Sequence, residues 1–222
     1  MAQNTSSISW NPNVVISLTD RLGAQETRRR LWHFLPGVIA FALPLIPHQE
    51  VVRLWVMCLI VGVGILVPGF LAMRYQHVYA RSRHEDYSPI LGYVIPLMFL
   101  SLLLRGTLEI PLAVAAIISF GDGSATLCGL LTRGPRLAWN PRKSVAGLFA
   151  FMVVGTIAAS LLYWIEASPS VTLFTAMTVV CPVAMICALV ETLPTKWNDN
   201  VTVGITASAL LILQQALVIG AF

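Results

Sequence analysis

Four clusters of polar residues interrupt an otherwise apolar chain, and their residue types suit phosphate chemistry. Glu26-x-x-Arg29-Arg30-x-x-His33 has offsets of three, four and seven, which put the acid, the cations and the imidazole on one helix face. Gly121-Asp122-Gly123-Ser124 sets a carboxylate between two glycines deep in an apolar stretch. Asn140-Pro141-Arg142-Lys143-Ser144-x-x-Gly147 brings two adjacent cations to the start of another apolar run. There Arg could bind phosphate through paired hydrogen bonds and Lys as a point charge, with Gly147 allowing close approach. Glu191 ends a further apolar run, and Asp199-Asn200 opens the next.

Each cluster also has a plainer reading. Arg29 and Arg30 serve as a juxtamembrane anchor on anionic headgroups, although this leaves Glu26 and His33 unexplained. Asp122 and Asp199 could be helix N-caps, and Arg142-Lys143 could be ordinary loop charge. Arg105 and Glu109, four residues apart, read as an ion pair at the outer interface. Taken together, the carboxylates and cations suit a magnesium–nucleotide site. Phosphoryl transfer asks mainly for held phosphates, neutralised charge and a positioned nucleophile. The chain has no Gly-rich loop ending in Gly-Lys-Ser/Thr, so such chemistry needs a membrane-embedded design.

The elements that position these residues follow from composition. Of 222 residues, 57% are hydrophobic and only 11% charged, against roughly 25% charged in soluble domains. The bilayer is the solvent that fits. Runs of spanning length are Leu31–Pro47, Leu54–Met73, Pro89–Leu104, Thr107–Phe120, Ser144–Ile165, Val171–Pro194 and Val201–Gly220. The third and fourth are short enough to form a tilted pair or a re-entrant hairpin. The expected fold is therefore all-α, a bundle of about seven transmembrane spans. A cytoplasmic arm over residues 1–25 precedes one catalytic membrane domain over 26–222. No signal peptide is read in Met1–Asp20. Cys58, Cys128, Cys181 and Cys187 lie in apolar stretches and read as packing thiols.

With seven spans, twelve cations fall on one side: Arg21, Arg28, Arg29, Arg30, Arg74, Arg81, Arg83, Arg133, Arg136, Arg142, Lys143 and Lys196. Arg53 and Arg105 fall on the other. The positive-inside rule places the first side, and the N-terminus, in the cytoplasm. Glu26, His33, Asp122, Lys143, Glu191 and Asp199 then share that face. Asp122 lies roughly 22 Å along a helix begun at Thr107. Its flanking glycines predict a helix break at Gly121-Asp122-Gly123, with Ser124–Thr132 a second short helix offering its N-terminus to phosphate.

In these residues the chain resembles the polyprenol kinase family: dolichol kinases, phytol kinases and CTP-dependent diacylglycerol kinases. The likeness lies in Glu26-x-x-Arg29-Arg30-x-x-His33, Gly121-Asp122-x-x-Ala125-x-x-x-Gly129, Lys143-Ser144-x-x-Gly147, and Glu191 with Asp199-Asn200, in family order. It implies transfer of a phosphoryl group from CTP, with Mg2+, to a membrane lipid alcohol. The length is like that of compact bacterial or phytol-kinase-like members, which implies a bacterial cytoplasmic membrane. On this reading Asp122, Glu26, Arg29 and His33 are catalytic, with Arg30 and Asn200 beside them. Gly121, Gly123, Arg142, Lys143, Ser144 and Gly147 bind nucleotide, and Asp122, Glu191 and Asp199 hold the metal. The partners are then nucleotide, lipid alcohol and bilayer, with no nucleic acid; a homo-oligomer is compatible, since Gly62-x-Gly64 could pack helices.

Two alternatives stand beside it. A phosphatidate cytidylyltransferase also combines CTP with a membrane lipid, but its C-terminal Gly/His-rich signature is replaced here by Thr195-Lys196-Trp197-Asn198-Asp199-Asn200. A transporter also uses buried acids and broken helices, but would place polar groups in both leaflets.

Overall fold

The computed structural model of the chain describes residues 24–45, 107–132 and 134–220, with isolated positions between 55 and 104; of residues 24–32 only the backbone is described. Five long helices and one hairpin are described: α1 (Ala24–Ala42), α2 (Glu109–Thr132), β1 (Arg136–Leu137), β2 (Asn140–Ser144), α3 (Val145–Glu166), α4 (Leu173–Glu191) and α5 (Asp199–Val218). A 3-10 turn, Leu43–Leu45, follows α1.

Helices α2 to α5 are each long and apolar enough to cross a membrane. At ~1.5 Å per residue, the 20 residues of α5 span about 30 Å, the thickness of a hydrocarbon core. The expected spans Leu54–Met73 and Pro89–Leu104 fall largely outside the described residues, as does all but the end of the arm over 1–25.

Side chains define where these helices begin. Ser144 Oγ accepts from Gly147 N at 3.0 Å to start α3, and Thr172 Oγ1 accepts from Thr175 N at 3.1 Å to start α4. At α5 the capping residue is Asn198, whose Oδ1 accepts from Asn200 N at 2.9 Å. Asp199, read above as a candidate cap, is instead the first helical residue, which leaves its carboxylate for another partner.

Along α2 to α5 successive helices run in opposite directions, and their buried faces form one core. It includes Ile110, Val114 and Ile117 of α2, Ala159 and Leu162 of α3, Val179 and Val183 of α4, and Ala207 and Leu211 of α5. Small residues (Ala113, Ala116, Ala159, Ala176, Ala184, Ala207) let the backbones approach closely. Outward faces keep large apolar side chains exposed, among them Phe149, Phe174 and Leu217, as lipid contact requires.

Two expectations are corrected. The chain does not break at Gly121-Asp122-Gly123. Helix α2 runs through that point as a π-turn over Ile117–Asp122 and resumes as α-helix at Gly123, whose backbone is helical (φ −57°, ψ −49°). The glycines admit aromatic rings. A Cβ on Gly121 would lie 2.8 Å from the Phe151 ring and one on Gly123 2.5 Å from that of Phe34. A second π-turn, Phe151–Gly155 in α3, packs against the first. Since the helix is continuous, Ser124 offers no free N-terminus to phosphate. The fold is also not wholly helical: β1 and β2 form a small antiparallel hairpin with Leu137 opposite Asn140 and Arg136 opposite Ser144. Glu109, the first residue of α2, is buried against α5, and Arg105 lies outside the described residues. Glu109 is 1% exposed, and its Oε1 accepts from Gln215 Nε2 at 3.4 Å.

Candidate functional site

The C-terminal ends of α2 and α4 meet the N-terminal ends of α3 and α5 at one end of the bundle, and the hairpin closes over them. Between them lies a cleft of about 380 Å³ lined by Asp122, Thr126, Gly129, Arg136, Arg142, Lys143, Ser144, Gly147, Glu191 and Asp199, among others. That volume falls in the range of small-molecule sites.

The hairpin is held to the end of α4 by Asn140 and Trp139. Asn140 Nδ2 donates to Thr192 O at 3.0 Å, and Trp139 Nε1 to Thr192 Oγ1 at 3.1 Å. Asn140 Oδ1 in turn accepts from Arg142 N at 3.1 Å, shaping the strand that carries the cations. From there Lys143 reaches across the cleft. Its Nζ donates to Glu191 Oε1 and, at 2.8 Å, to Asp199 Oδ2. Glu191 is nearly sealed from solvent at 3% exposure, whereas Asp199 is 40% exposed. Burial disfavours the charged ammonium, but Glu191 and Asp199 together outweigh it and hold the Lys143 pKa above its ordinary 10.5.

Deeper in the cleft, Asp122 sits on the π-turn with its Oδ2 3.1 Å from His33 Nε2. His33 belongs to α1, so this contact brings the first polar cluster to the second. Tyr93 Oη lies 3.0 Å from the same imidazole nitrogen, and the rings meet edge to face.

The structure thus places Asp122, Arg142, Lys143, Ser144, Gly147, Glu191 and Asp199 around one cleft, with His33 beside Asp122. Gly121 and Gly123 are not among the lining residues and pack against phenylalanines. Asn200 is buried, with its N–H in the α5 cap. The side chains of Glu26, Arg29 and Arg30 lie outside the described residues. Gly147 is a point of close approach: a Cβ there would lie 2.6 Å from Ala125 O.

Two residues escaped the sequence reading. Arg136 had been counted only for sidedness, but its strand pairing returns it to the cleft, where Nη1 donates to Arg142 O at 3.4 Å. Tyr93 sits in an apolar run and gives no local signal.

Among the described residues, no three His, Cys, Asp or Glu side chains converge closely enough to hold a metal ion unaided. Asp122, Glu191 and Asp199 are nonetheless hard oxygen donors. Mg2+ takes such groups one or two at a time, together with substrate phosphates. The donor set therefore fits an ion shared with a nucleotide.

No family model and no solved structure matches the chain. The chain is 27% identical over 201 residues to Phytol kinase 1, chloroplastic, of Arabidopsis thaliana. That alignment takes in 84% of this chain and 66% of the relative, so the chain spans just under two thirds of the relative's length. Across most of its length, then, this helical membrane protein is similar to a phytol kinase.

Proposed function

We propose that the chain is a membrane-embedded kinase that transfers the terminal phosphoryl group of CTP, or a related nucleotide, to the hydroxyl of a prenol-type lipid alcohol. The observation that carries this reading is the cleft itself, where an acid paired with an imidazole faces a hairpin bearing three cations. Similarity to a phytol kinase over 84% of the chain points to the same class of acceptor.

In this reading Arg136 and Arg142 hold the nucleotide phosphates, Arg by its forked donors. Lys143 draws β2 to α4 and α5 and offsets the charge of Glu191 and Asp199. The lipid lies among the helices with its hydroxyl toward Asp122. The alcohol oxygen forms a bond to the terminal phosphorus as the bond to the nucleoside diphosphate oxygen breaks. The hydroxyl proton passes to the Asp122–His33 pair. Asp122 and Asp199, together with the phosphates, would hold Mg2+, which would supply charge neutralisation when bound. The basic residues near the cleft, Arg136, Arg142, Lys143 and Lys196, favour a cytoplasmic position for this end.

The test is to incubate the purified full chain in lipid nanodiscs with CTP or ATP labelled on the terminal phosphate and a panel of phytol, shorter and longer prenols, and diacylglycerol. A labelled lipid phosphate with release of nucleoside diphosphate is expected. Release of pyrophosphate with a cytidylyl-lipid would instead mark a cytidylyltransferase, and folded protein that labels none of the acceptors would overturn the proposal. Asp122→Asn is expected to abolish transfer while the protein remains inserted and folded.

A further inference from the structure

The π-turn of α2 does more than carry Asp122; it also inserts a side chain into α1. Gly37 N–H and His33 O, four residues apart, belong to one turn of α1. Here Gly37 N donates at 2.9 Å to Ser119 Oγ, and Ser119 Oγ donates at 3.1 Å to His33 O. The hydroxyl thus engages both the N–H and the C=O of one turn of α1. The approach is close: a Cβ on Gly37 would lie 2.7 Å from Ser119 Cβ and 2.5 Å from the Phe120 ring.

Tyr93 joins the same point. Its hydroxyl lies 3.2 Å from His33 O, 3.3 Å from Ser119 Oγ and 3.0 Å from His33 Nε2. Nε2 also has Asp122 Oδ2 at 3.1 Å and Ile118 O at 3.4 Å. A carbonyl oxygen only accepts, and so does an ionised carboxylate. One proton assignment gives every donor in the set an acceptor. The Ser119 and Tyr93 hydroxyls both donate to His33 O, Gly37 N–H donates to Ser119, and His33 Nε2–H is directed at Asp122 with Tyr93 Oη as a second acceptor. Tyr93 is 8% exposed and Ser119 fully buried, so their hydroxyls are largely shielded from water.

The geometry points to Tyr93 and Ser119 as positioning residues that grip His33 at its carbonyl and its ring, holding Nε2–H against Asp122. The consequence for turnover rests on the kinase reading; the grip itself does not. Without the Tyr93 hydroxyl the imidazole is free to turn and to exchange its proton between nitrogens, and Asp122 loses a fixed donor.

The experiment is 15N NMR of the full chain labelled at histidine, in nanodiscs, with His33→Gln identifying the His33 signals among the four histidines. The wild type is expected to show a His33 ring that carries a proton on Nε2, and a ring protonated on Nδ1 alone would overturn the proposal without any variant. Tyr93→Phe is expected to move the His33 signals toward a mixture of tautomers, and Ser119→Ala to move them the same way by less. His33 signals unchanged in both variants would also overturn it. In the transfer assay, Tyr93→Phe should lower kcat by ~10–100-fold with nucleotide KM unchanged within about twofold; an unchanged kcat would refute the positioning role. If the wild type phosphorylates no alcohol, the kinase reading fails, while the NMR result still decides the grip.

Discussion

Lys143 Nζ lies 2.8 Å from Asp199 Oδ2 while also donating to Glu191, so one ammonium joins the hairpin to the last residue of α4 and the first of α5. Because Glu191 is 3% exposed, most of the energetic consequence falls on that partner. Removing one side of a buried pair leaves an uncompensated charge. Lys143→Met should therefore destabilise the protein by about 3 kcal/mol, and Glu191→Gln added to it should recover a substantial part. Thermal unfolding in detergent measures both. A single variant as stable as the wild type would show that the clamp contributes nothing.

The same clamp has a pH signature. A lysine whose folded pKa is raised stabilises the fold below its unfolded value and ceases to do so as pH rises through the folded one. The folded value for Lys143 lies above 10.5. The contribution of the Lys143 charge to the stability gap between wild type and Lys143→Met should therefore persist up to about pH 10 and be lost only above that. A gap that closes between about pH 7 and 9 would mean that another group controls it.

At Gly147 the constraint is steric. An alanine Cβ would press on Ala125 O at 2.6 Å, and because that atom is backbone the helices must separate. Gly147→Ala is expected to cost about 1–3 kcal/mol and to lower transfer by widening the cleft. Gly62 provides the comparison, since among the described residues a Cβ there has no neighbour within 4 Å, and Gly62→Ala should leave the melting temperature unchanged. Equal melting temperatures for the two variants would contradict the packing argument.

Arg136 and Arg142 should act on nucleotide alone. Replacing either with alanine is expected to raise nucleotide KM about tenfold, the scale of one charge-assisted contact, and to leave the lipid KM unchanged. Steady-state kinetics with each substrate varied separately would show it, and a change confined to the lipid KM would remove both arginines from the phosphate site.

The polar residues stood out in the sequence because a carboxylate or cation beside a long apolar run is costly without a reason. That contrast marked Asp122, Lys143, Glu191 and Asp199, which the fold brings to one cleft or its edge. Spans such as Leu173–Glu191 were legible from length and hydropathy alone. What periodicity could not supply was the purpose of each glycine. Gly121 and Gly123 read as a hinge, and only the Phe151 and Phe34 rings show why small residues stand there. Arg136 was missed because its place depends on a two-stranded register, and Tyr93 because its partner lies 60 residues away.

The π-turn over Ile117–Asp122 has a geometric result of its own. Closing hydrogen bonds over five residues instead of four adds a residue to the turn, so the azimuth of every later side chain is offset from that of a regular helix. Residues 109–119 of α2 are all buried, whereas after the turn the helix lines the cleft with Asp122, Ala125, Thr126 and Gly129. A single rod thereby changes which compass bearing faces its neighbours partway along, serving as a sealed strut in one half and as the wall of an aqueous chamber in the other.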